Sequence, residues 1–473
     1  MPEIQIYNTL GRRKQTFEPR VPGKVSMYTC GPTVYKYAHV GNMRTYLMSD
    51  FWLRALEYLG YQVTQVENIT DVGHLVGDTQ DQGEDKILKS AQEEGKSPEE
   101  IAAFYTAAFI EDCELLRIRP AAAYPRATEF INEMIALIQK LEKLGLTYEV
   151  NGNVFYDVQR RGDYPKLSNN TLDQLQAGYR IDPDPNKRHP ADFLLWKAGG
   201  ERRLQIWDSP WGRGFPGWHL ECSAMSLKYF PDGFDIHTGA VDLVFPHHED
   251  EIAQSEPVAG RQVVNYWIHG EFLEMSGQKM AKSTGNIIRV ADLVEAGHDP
   301  LAFRFLCLTA KYRAKLSFSM RTLEAAETGL TNIRRPASKL EPAVAVESAG
   351  GQDLQRKFVE ALADDLDLPL VSALLQEVLR ADVPDGEKRA LLEDWDRVLA
   401  LDLTRAPKED DAEAPAEAHA LAAERDAARE AKNYAEADAL RAKLEAIGWQ
   451  VEDGAGGTRL RPRRASEEPT QVT

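Results

Sequence analysis

The sequence predicts an α/β fold: a Rossmann-type parallel sheet split by an insertion, followed by a helical bundle and a small C-terminal module. Three observations carry this. Residues 24–29 (KVSMYT) alternate toward β-branched and aromatic types and halt at Gly31-Pro32, after which residues 42–59 show the apolar recurrence of a helix ending at Gly60. Residues 61–69 (YQVTQVENI) then read as a second strand, and a helical crossover implies parallel strands. Beyond residue 208 the same alternation returns, and one sheet interrupted by inserted sequence accounts for that order more simply than two α/β domains do.

Taken in order, residues 1–126 form the first half of the sheet domain. They comprise a short strand and irregular lead within 1–23, the βαβ start, a polar loop at 73–83 (GHLVGDTQDQG) and helical sequence at 85–116. The insertion, 127–208, holds a helix (128–144), a hairpin around Asn151-Gly152 and polar sequence at 182–190. The second half of the sheet domain, 209–262, holds a helix (218–230), a short strand (234–238) and a helix opened after Pro246 (247–255). Residues 263–325 begin with a strand (263–269) and contain a polar loop at 275–285; helical sequence continues through 326–404. RAPKEDDAEAP (405–415) is a charged linker with two prolines. The module at 416–464 reads as a helix pair (417–432, 434–447), a Gly448 cap and a hairpin around Asp453-Gly454; a tail at 465–473 is expected to be disordered.

At 473 residues the chain has material for several cores. Its net charge of -18 argues against indiscriminate nucleic-acid binding, yet Arg12-Arg13-Lys14, Arg334-Arg335 and Arg459 to Arg464 leave local basic surfaces open. No apolar run approaches the ~18 residues of a spanning helix, and no signal peptide pattern opens the chain, so a cytoplasmic protein without a membrane partner is expected. Cys30, Cys113, Cys222 and Cys307 are too scattered for a disulfide framework, and no CxxC pair occurs; reduced thiols are expected.

Ligands of open parallel sheets bind beyond the strands' carboxyl ends, where a helix N-terminus offers N–H groups to phosphate. Cys30 and His39 fall there. No GxxxxGK[ST] is present, and the GxGxxG at Gly212 to Gly217, with Pro210 before it and Pro216 within it, suits an irregular loop better than a dinucleotide turn. His39-Val40-Gly41-Asn42 offers an imidazole and an amide to phosphate oxygens, with Gly41 allowing close approach; taken alone it is a weak signal, and in most proteins such a tetrapeptide is an ordinary polar helix start. Lys279 to Ser283 (KMAKS) makes a cationic loop suited to charge building on a leaving pyrophosphate, or else a solvated charge run. Together the two describe a nucleotidyl-transfer site. His247 and Glu251, four residues apart on a predicted helix, share a face, and Cys30 and Cys222 at element ends are able to complete a metal set. A structural His–Glu pair and two small buried hydrophobes remain the alternative.

With these residues assembled, the chain resembles the class I aminoacyl-tRNA synthetases, and among them the cysteinyl-tRNA synthetases. The resemblance rests on MYTCGPTVYKYAHVGNMRTY (27–46), NITDVGH (68–74), PGWHLECSAMS (216–226), FDIHTGAVDLVFPHHEDEIAQS (234–255), NYWIHGEFL (265–273), KMAKSTGN (279–286) and GWQVEDGAGGTRLR (448–461). It implies zinc held by Cys30, Cys222, His247 and Glu251, with the substrate thiolate as a further ligand. It implies a cysteine pocket of Cys30, Thr70, Trp218, His237 and Asp242, and ATP bound by His39, Gly41, Asn42, Lys279 and Lys282. His39, Asn42 and the two lysines carry the catalysis in that picture, and Mg²⁺ accompanies ATP. The implied partners are ATP, L-cysteine and tRNA(Cys), and a monomer is expected. Residues 127–208 would meet the acceptor stem, 263–325 would form the stem-contact region with the lysine loop, and 416–464 would bind the anticodon.

Three positions depart from the family pattern. HIGH reads HVGN, KMSKS reads KMAKS with Ala281, and HGGG reads His237-Thr238-Gly239-Ala240. Two other readings are weighed against the synthetase: a cysteine-adenylating ligase that acylates an amino sugar conjugate in thiol-cofactor biosynthesis, which lacks an anticodon module, and a catalytically silent zinc protein that binds tRNA or regulates. Intact His39, Lys279 and Lys282 argue against the second. A persulfide-forming side activity with pyridoxal phosphate, associated with this family, has Lys86 and Lys89 as candidate lysines.

Overall fold

The structure, a computed structural model, describes residues 2–72, 85–171, 184–199, 204–275, 278–279, 287–407, 414–454 and 457–462. Two short antiparallel strands, β1 (Gln5–Asn8) and β2 (Arg13–Thr16), lead into β3 (Lys24–Thr29), which crosses through α1 (Val40–Tyr58) to the parallel strand β4 (Gln62–Glu67). The expected βαβ unit is present. α1 is buried on most faces, with Met43, Leu47, Phe51 and Trp52 in the core, and it ends at Gly60, whose φ of 93° suits a residue without a Cβ.

Helices α2 (Lys86–Glu94) and α3 (Pro98–Leu115) follow, each opened by a side-chain cap, Asp85 and Ser97 respectively. The insertion carries α4 (Ile131–Lys143) and an antiparallel sheet in the order β5 (Thr147–Val150), β6 (Asn153–Tyr156), β7 (Phe193–Ala198), β8 (Gly214–Pro216). Asn151 and Gly152 take φ values of 53° and 78° at the first hairpin, the pairing that a two-residue primed turn demands. β8 lies past residue 208, so the inserted sheet draws its last strand from sequence that local pattern assigns to the second half of the sheet domain.

After α5 (Trp218–Tyr229) come β9 (Phe234–Ala240), α6 (Glu249–Ala259) and β10 (Val264–Gly270). The main sheet has the order β10-β9-β3-β4, all parallel, with Met27 opposite Ile236 on one side and Gln65 on the other. β10 is thus an edge strand of this sheet, although periodicity alone places residue 263 onward in the next region. The chain runs from β3 outward to β4 and later returns on the opposite side as β9. The crevice at the carboxyl ends of β3 and β9 is therefore the topological switch point.

A small sheet, β12 (Gln278–Lys279), β11 (Leu273–Met275) and β13 (Leu316–Phe318), follows. Helices at Met320–Ala337, Ala349–Ala363, Leu368–Arg380 and Asp385–Leu399 bury Leu323, Ile333, Phe358, Val371, Leu374 and Trp395, with Phe358 stacked on Trp395 at 4.6 Å. The described residues within 291–299 and 405–462 form a second compact unit. Within it, helices at Ala416–Glu430 and Tyr434–Ala446 pair, Gly448 takes φ 85°, and strands Trp449–Gly454 and Gly457–Pro462 form an antiparallel hairpin. The predicted loop at 73–83, the tail at 465–473 and Lys282 lie outside the described residues. Among the described residues, no helix is long and apolar enough to cross a membrane.

Candidate active site

Cys30 is the first residue past β3, and its N–H donates to the Thr238 carbonyl at 3.1 Å, continuing the ladder with β9. Gly31 beside it lets the ends of β3 and β4 close together: a Cβ there would stand 1.7 Å from the Asn68 carbonyl oxygen. Cys222 arrives from the second turn of α5, and its sulfur lies 3.8 Å from that of Cys30. The other two donors come from the chain after β9. Phe245 is extended and breaks the helical path, which restarts after Pro246 as one wide turn carrying His247 and His248 and runs on into α6 at Glu249. The four-residue spacing still works across that junction, placing His247 Nε2 3.2 Å from Glu251 Oε1 and 3.4 Å from Cys222 Sγ.

These four donors all lie within 4.8 Å of one another and are buried. Tetrahedral zinc, with bonds of about 2.3 Å to sulfur and about 2.0 Å to nitrogen or oxygen, sets ligand–ligand edges of about 3.3 to 3.8 Å. The observed separations match those edges, so the set fits a zinc ion. A second set, Cys30, His237, His248 and Glu251, shares two of its members and also lies within 4.8 Å. It has one thiol where the first has two, and the softer first set suits zinc better.

Burial governs the electrostatics. Desolvation pushes the Cys30 thiol up to about 12 and Cys222 well above its ordinary value, while it lowers His247 to about 4, His269 to about 3 and His248 well below the usual range. Without a cation the site therefore holds neutral thiols and neutral imidazoles. Neighbouring side chains fix the donors' orientation. His237 Nε2 sits 3.0 Å from Glu251 Oε2, its ring stacked on Trp267 at 4.7 Å. Trp218 stacks on His247 at 4.2 Å, and His219 meets the Nδ1 of the same ring at 3.2 Å. A chain of contacts runs from Thr9 Oγ1 to His269 Nδ1 (2.7 Å), from His269 Nε2 to His248 Nδ1 (2.8 Å), and from His248 Nε2 to Cys30 Sγ (3.2 Å). With neutral rings, one tautomer lets every hydrogen bond in it point toward the Cys30 sulfur.

The other end of the candidate site is the start of α1. His39 caps the helix, its Nδ1 accepting from the Asn42 N–H at 3.2 Å while Asn42 Oδ1 accepts from the His39 N–H at 3.2 Å. Gly41 is needed for this arrangement, because a Cβ there would stand 2.9 Å from His39 Nδ1. Lys279 lies on β12, paired with Glu274 of β11.

Of the remaining predicted residues, Thr70 donates to Glu221 Oε1 at 3.0 Å, and Trp218 and His237 touch side chains of the four-donor cluster as above. Asp242 is exposed in the turn Val241–Leu243. Thr238, the departure from a glycine-rich run, turns its hydroxyl into the core, 2.8 Å from Thr29 Oγ1 and 2.9 Å from Ser49 Oγ. Sequence reasoning missed His219, Glu221, His248 and His269, and also Asn68, whose Oδ1 accepts from the Gly31 N–H at 2.9 Å and lies 3.7 Å from Cys222 Sγ. The doubled histidine of FPHHED is a signal, but residues adjacent on a helix point about 100° apart. Both rings are buried because neighbouring elements pack around them: Trp218 and His219 of α5 cover His247, and His237 of β9 with Trp267 and His269 of β10 cover His248.

Comparison with known proteins extends this geometry to the whole chain. The family description "tRNA synthetases class I (C) catalytic domain" matches residues 16–328, and "Cysteinyl-tRNA ligase anticodon binding domain" matches 411–461. A cysteine–tRNA ligase of Treponema denticola is 43% identical over 486 residues, covering 96% of this chain and 99% of the relative. The chain belongs to the cysteinyl-tRNA ligase family of class I aminoacyl-tRNA synthetases. Cysteine–tRNA ligase 1 of Burkholderia lata is another member that it resembles, at 42% identity over 461 residues, 97% of this chain and 96% of that one. The family's fold extends to distant structures. Mycobacterium tuberculosis methionyl-tRNA synthetase in complex with methionyl-adenylate superposes with a TM-score of 0.54 at 15% identity, over 80% of this chain and 90% of that chain.

Proposed function

We propose that this chain activates L-cysteine with ATP to cysteinyl-adenylate and transfers the cysteinyl group to tRNA(Cys). The observation that carries the reading is the four-donor cluster at the sheet's switch point, one member of which, Cys30, begins the strand-to-helix connection that leads to His39 and Asn42. Cys30, Cys222, His247 and Glu251 would hold zinc, which supplies a soft Lewis acid able to bind a thiolate far better than a serine hydroxyl. Packing alone discriminates weakly against such a near-isostere.

The chain's own residues do the rest. Thr70, Trp218, His237 and Asp242 would shape the amino-acid pocket, with Trp218 fixing the His247 ring and His237 fixing the Glu251 carboxylate. His39, Gly41 and Asn42 would receive the ATP phosphates at the N-terminus of α1, and Lys279 and Lys282 would neutralise the β and γ phosphates as pyrophosphate leaves. Mg²⁺ would accompany ATP. A cysteine carboxylate oxygen attacks the α-phosphorus and the bond to pyrophosphate breaks; a ribose hydroxyl of the terminal adenosine then attacks the carbonyl carbon and AMP leaves. Positioning and charge stabilisation suffice, with no covalent enzyme intermediate. Residues 127–208 would meet the acceptor stem and 416–464 the anticodon. The separate C-terminal unit favours tRNA over an amino sugar conjugate as acceptor.

Cysteine-dependent ATP–pyrophosphate exchange, run with serine as competitor and with zinc removed in parallel, tests this. Exchange with cysteine and loss of discrimination on zinc removal are expected. Absence of exchange would overturn the synthetase reading, and unchanged discrimination without zinc would take the metal out of specificity.

A further inference from the structure

Arg44 lies on α1 two residues past Asn42 and is 5% exposed. Its guanidinium donates to four main-chain carbonyls on two separate segments: Nη1 to Glu271 (2.8 Å) and Phe272 (2.5 Å), and Nη2 to Lys311 (3.4 Å) and Ala314 (2.5 Å). Glu271 and Phe272 immediately precede β11, and Lys311 and Ala314 precede β13, its parallel partner. One side chain therefore grips the starts of both strands. β11 in turn pairs with β12, which carries Lys279. The far side of the lysine-bearing stretch is also tied to α1, because the Val40 N–H donates to the Ile288 carbonyl at 2.9 Å. Both flanks of 273–287 are thus fastened to the first turns of the helix whose N-terminus presents His39 and Asn42.

We infer that Arg44 is a positioning residue for adenylate formation, one that sets Lys279 against the His39–Asn42 helix start by holding β11 and β13 to α1. The inference rests on the proposed function. The bland alternative is a clamp that matters only for folding. Geometry argues for more: the grip falls on the backbone that leads directly to Lys279, and the guanidinium's planar fork reaches four carbonyls at once. A lysine ammonium has three donors on a flexible stem and cannot reproduce that fork. In the transition state the lysines must meet charge building on the β and γ phosphates, and small misplacement there is costly in rate.

The test uses full-length Arg44→Lys and Arg44→Ala in cysteine-dependent ATP–pyrophosphate exchange, with zinc content and amide exchange measured on the same samples. Arg44→Lys is expected to lower kcat about 10- to 100-fold, leaving the KM for cysteine and the zinc content at wild-type values. Added guanidinium is expected to restore part of the Arg44→Ala rate, whereas methylammonium is not. Amide exchange is expected to quicken across 271–279 and 311–318 while 24–29 and 234–240 stay protected. The inference is overturned if both variants keep wild-type kcat, if activity falls only in proportion to the folded fraction, or if amide exchange at 271–279 is unchanged. Absence of exchange in the wild-type protein would instead defeat the proposed function, and the amide-exchange arm would still judge the Arg44 clamp.

Discussion

The sulfurs of Cys30 and Cys222 stand 3.8 Å apart although the two residues are separated by 192 positions in sequence. One ends a strand and the other rides in a helix, and burial holds both as neutral thiols until a cation draws off their protons. Replacing either removes a soft ligand but leaves the other three donors. Cys222→Ala is expected to bring bound zinc from about one per chain to well below half, and to shrink the preference for cysteine over serine by at least about tenfold. Metal analysis after dialysis, paired with exchange assays on the two amino acids, checks this; full zinc occupancy in the variant would place the metal elsewhere.

Gly239 supplies a test at a distance from the ligands. A Cβ there would stand 2.7 Å from His248 Cε1 and 2.9 Å from Leu243 Cδ1, so the imidazole beside Cys30 has to shift. Gly239→Ala is expected to weaken zinc binding by about 10- to 100-fold, the range typical of lost outer contacts to a metal ligand. Competition with a chelator measures it, and wild-type affinity would show that His248 does not support Cys30.

Asn42 separates helix capping from nucleotide binding. Its Oδ1 accepts from the His39 N–H, a role that Asp retains and Ala loses. Asn42→Asp is expected to keep the thermal midpoint within a few degrees while raising the KM for ATP about tenfold or more, since a carboxylate repels phosphate at this helix start. Asn42→Ala is expected to lower the thermal midpoint, costing about 1 kcal/mol of stability, and to raise the KM for ATP as well. Equal ATP affinity in Asn42→Asp would remove this side chain from the phosphate site.

Glu67, at the carboxyl end of β4, is buried, and desolvation pushes its carboxyl up to about 8; its Oε1 has no hydrogen-bond partner among the described residues. In the unfolded chain the group ionises near about 4.3. Between those values the folded chain keeps a proton that the unfolded chain has released. The group's stabilisation is therefore complete below about pH 4 and is lost as pH rises through about 8. Glu67→Gln is expected to match wild type near pH 4 and to exceed it by on the order of a few kcal/mol at pH 8.5. Thermal midpoints across that range decide the matter, and parallel curves for the two proteins would contradict it.

The C-terminal unit predicts a division of labour. Ending the chain at Leu403 is expected to leave adenylate formation within about threefold of wild type while tRNA charging falls by about 100-fold or more. Equal loss of both activities would refute the assignment of 416–464 to tRNA.

Much of this was legible beforehand. KVSMYT and YQVTQVENI were readable as strands because alternation and breakers act over a few residues, and His247 with Glu251 because i,i+4 spacing survives even across the junction into α6. The identity of β10 as an edge of the main sheet was not, nor was the membership of Gly214–Pro216 in the inserted sheet. Strand partners are chosen by residues far away in sequence, and periodicity carries no record of them. For the same reason His248, His269 and Arg44 looked like ordinary polar residues.

By itself the sequence determined the alternation of elements, the caps, the turn at Asn151-Gly152 and the donor types a zinc and a nucleotide require. These follow from steric and hydrogen-bonding preferences that operate within one or two turns of chain. Only the tertiary structure decided that Cys30 meets Cys222, that Thr238 points into the core and that Arg44 joins two strands to α1. Such contacts depend on how distant segments bury their apolar faces together, and a buried polar group finds its partner only once that packing is complete.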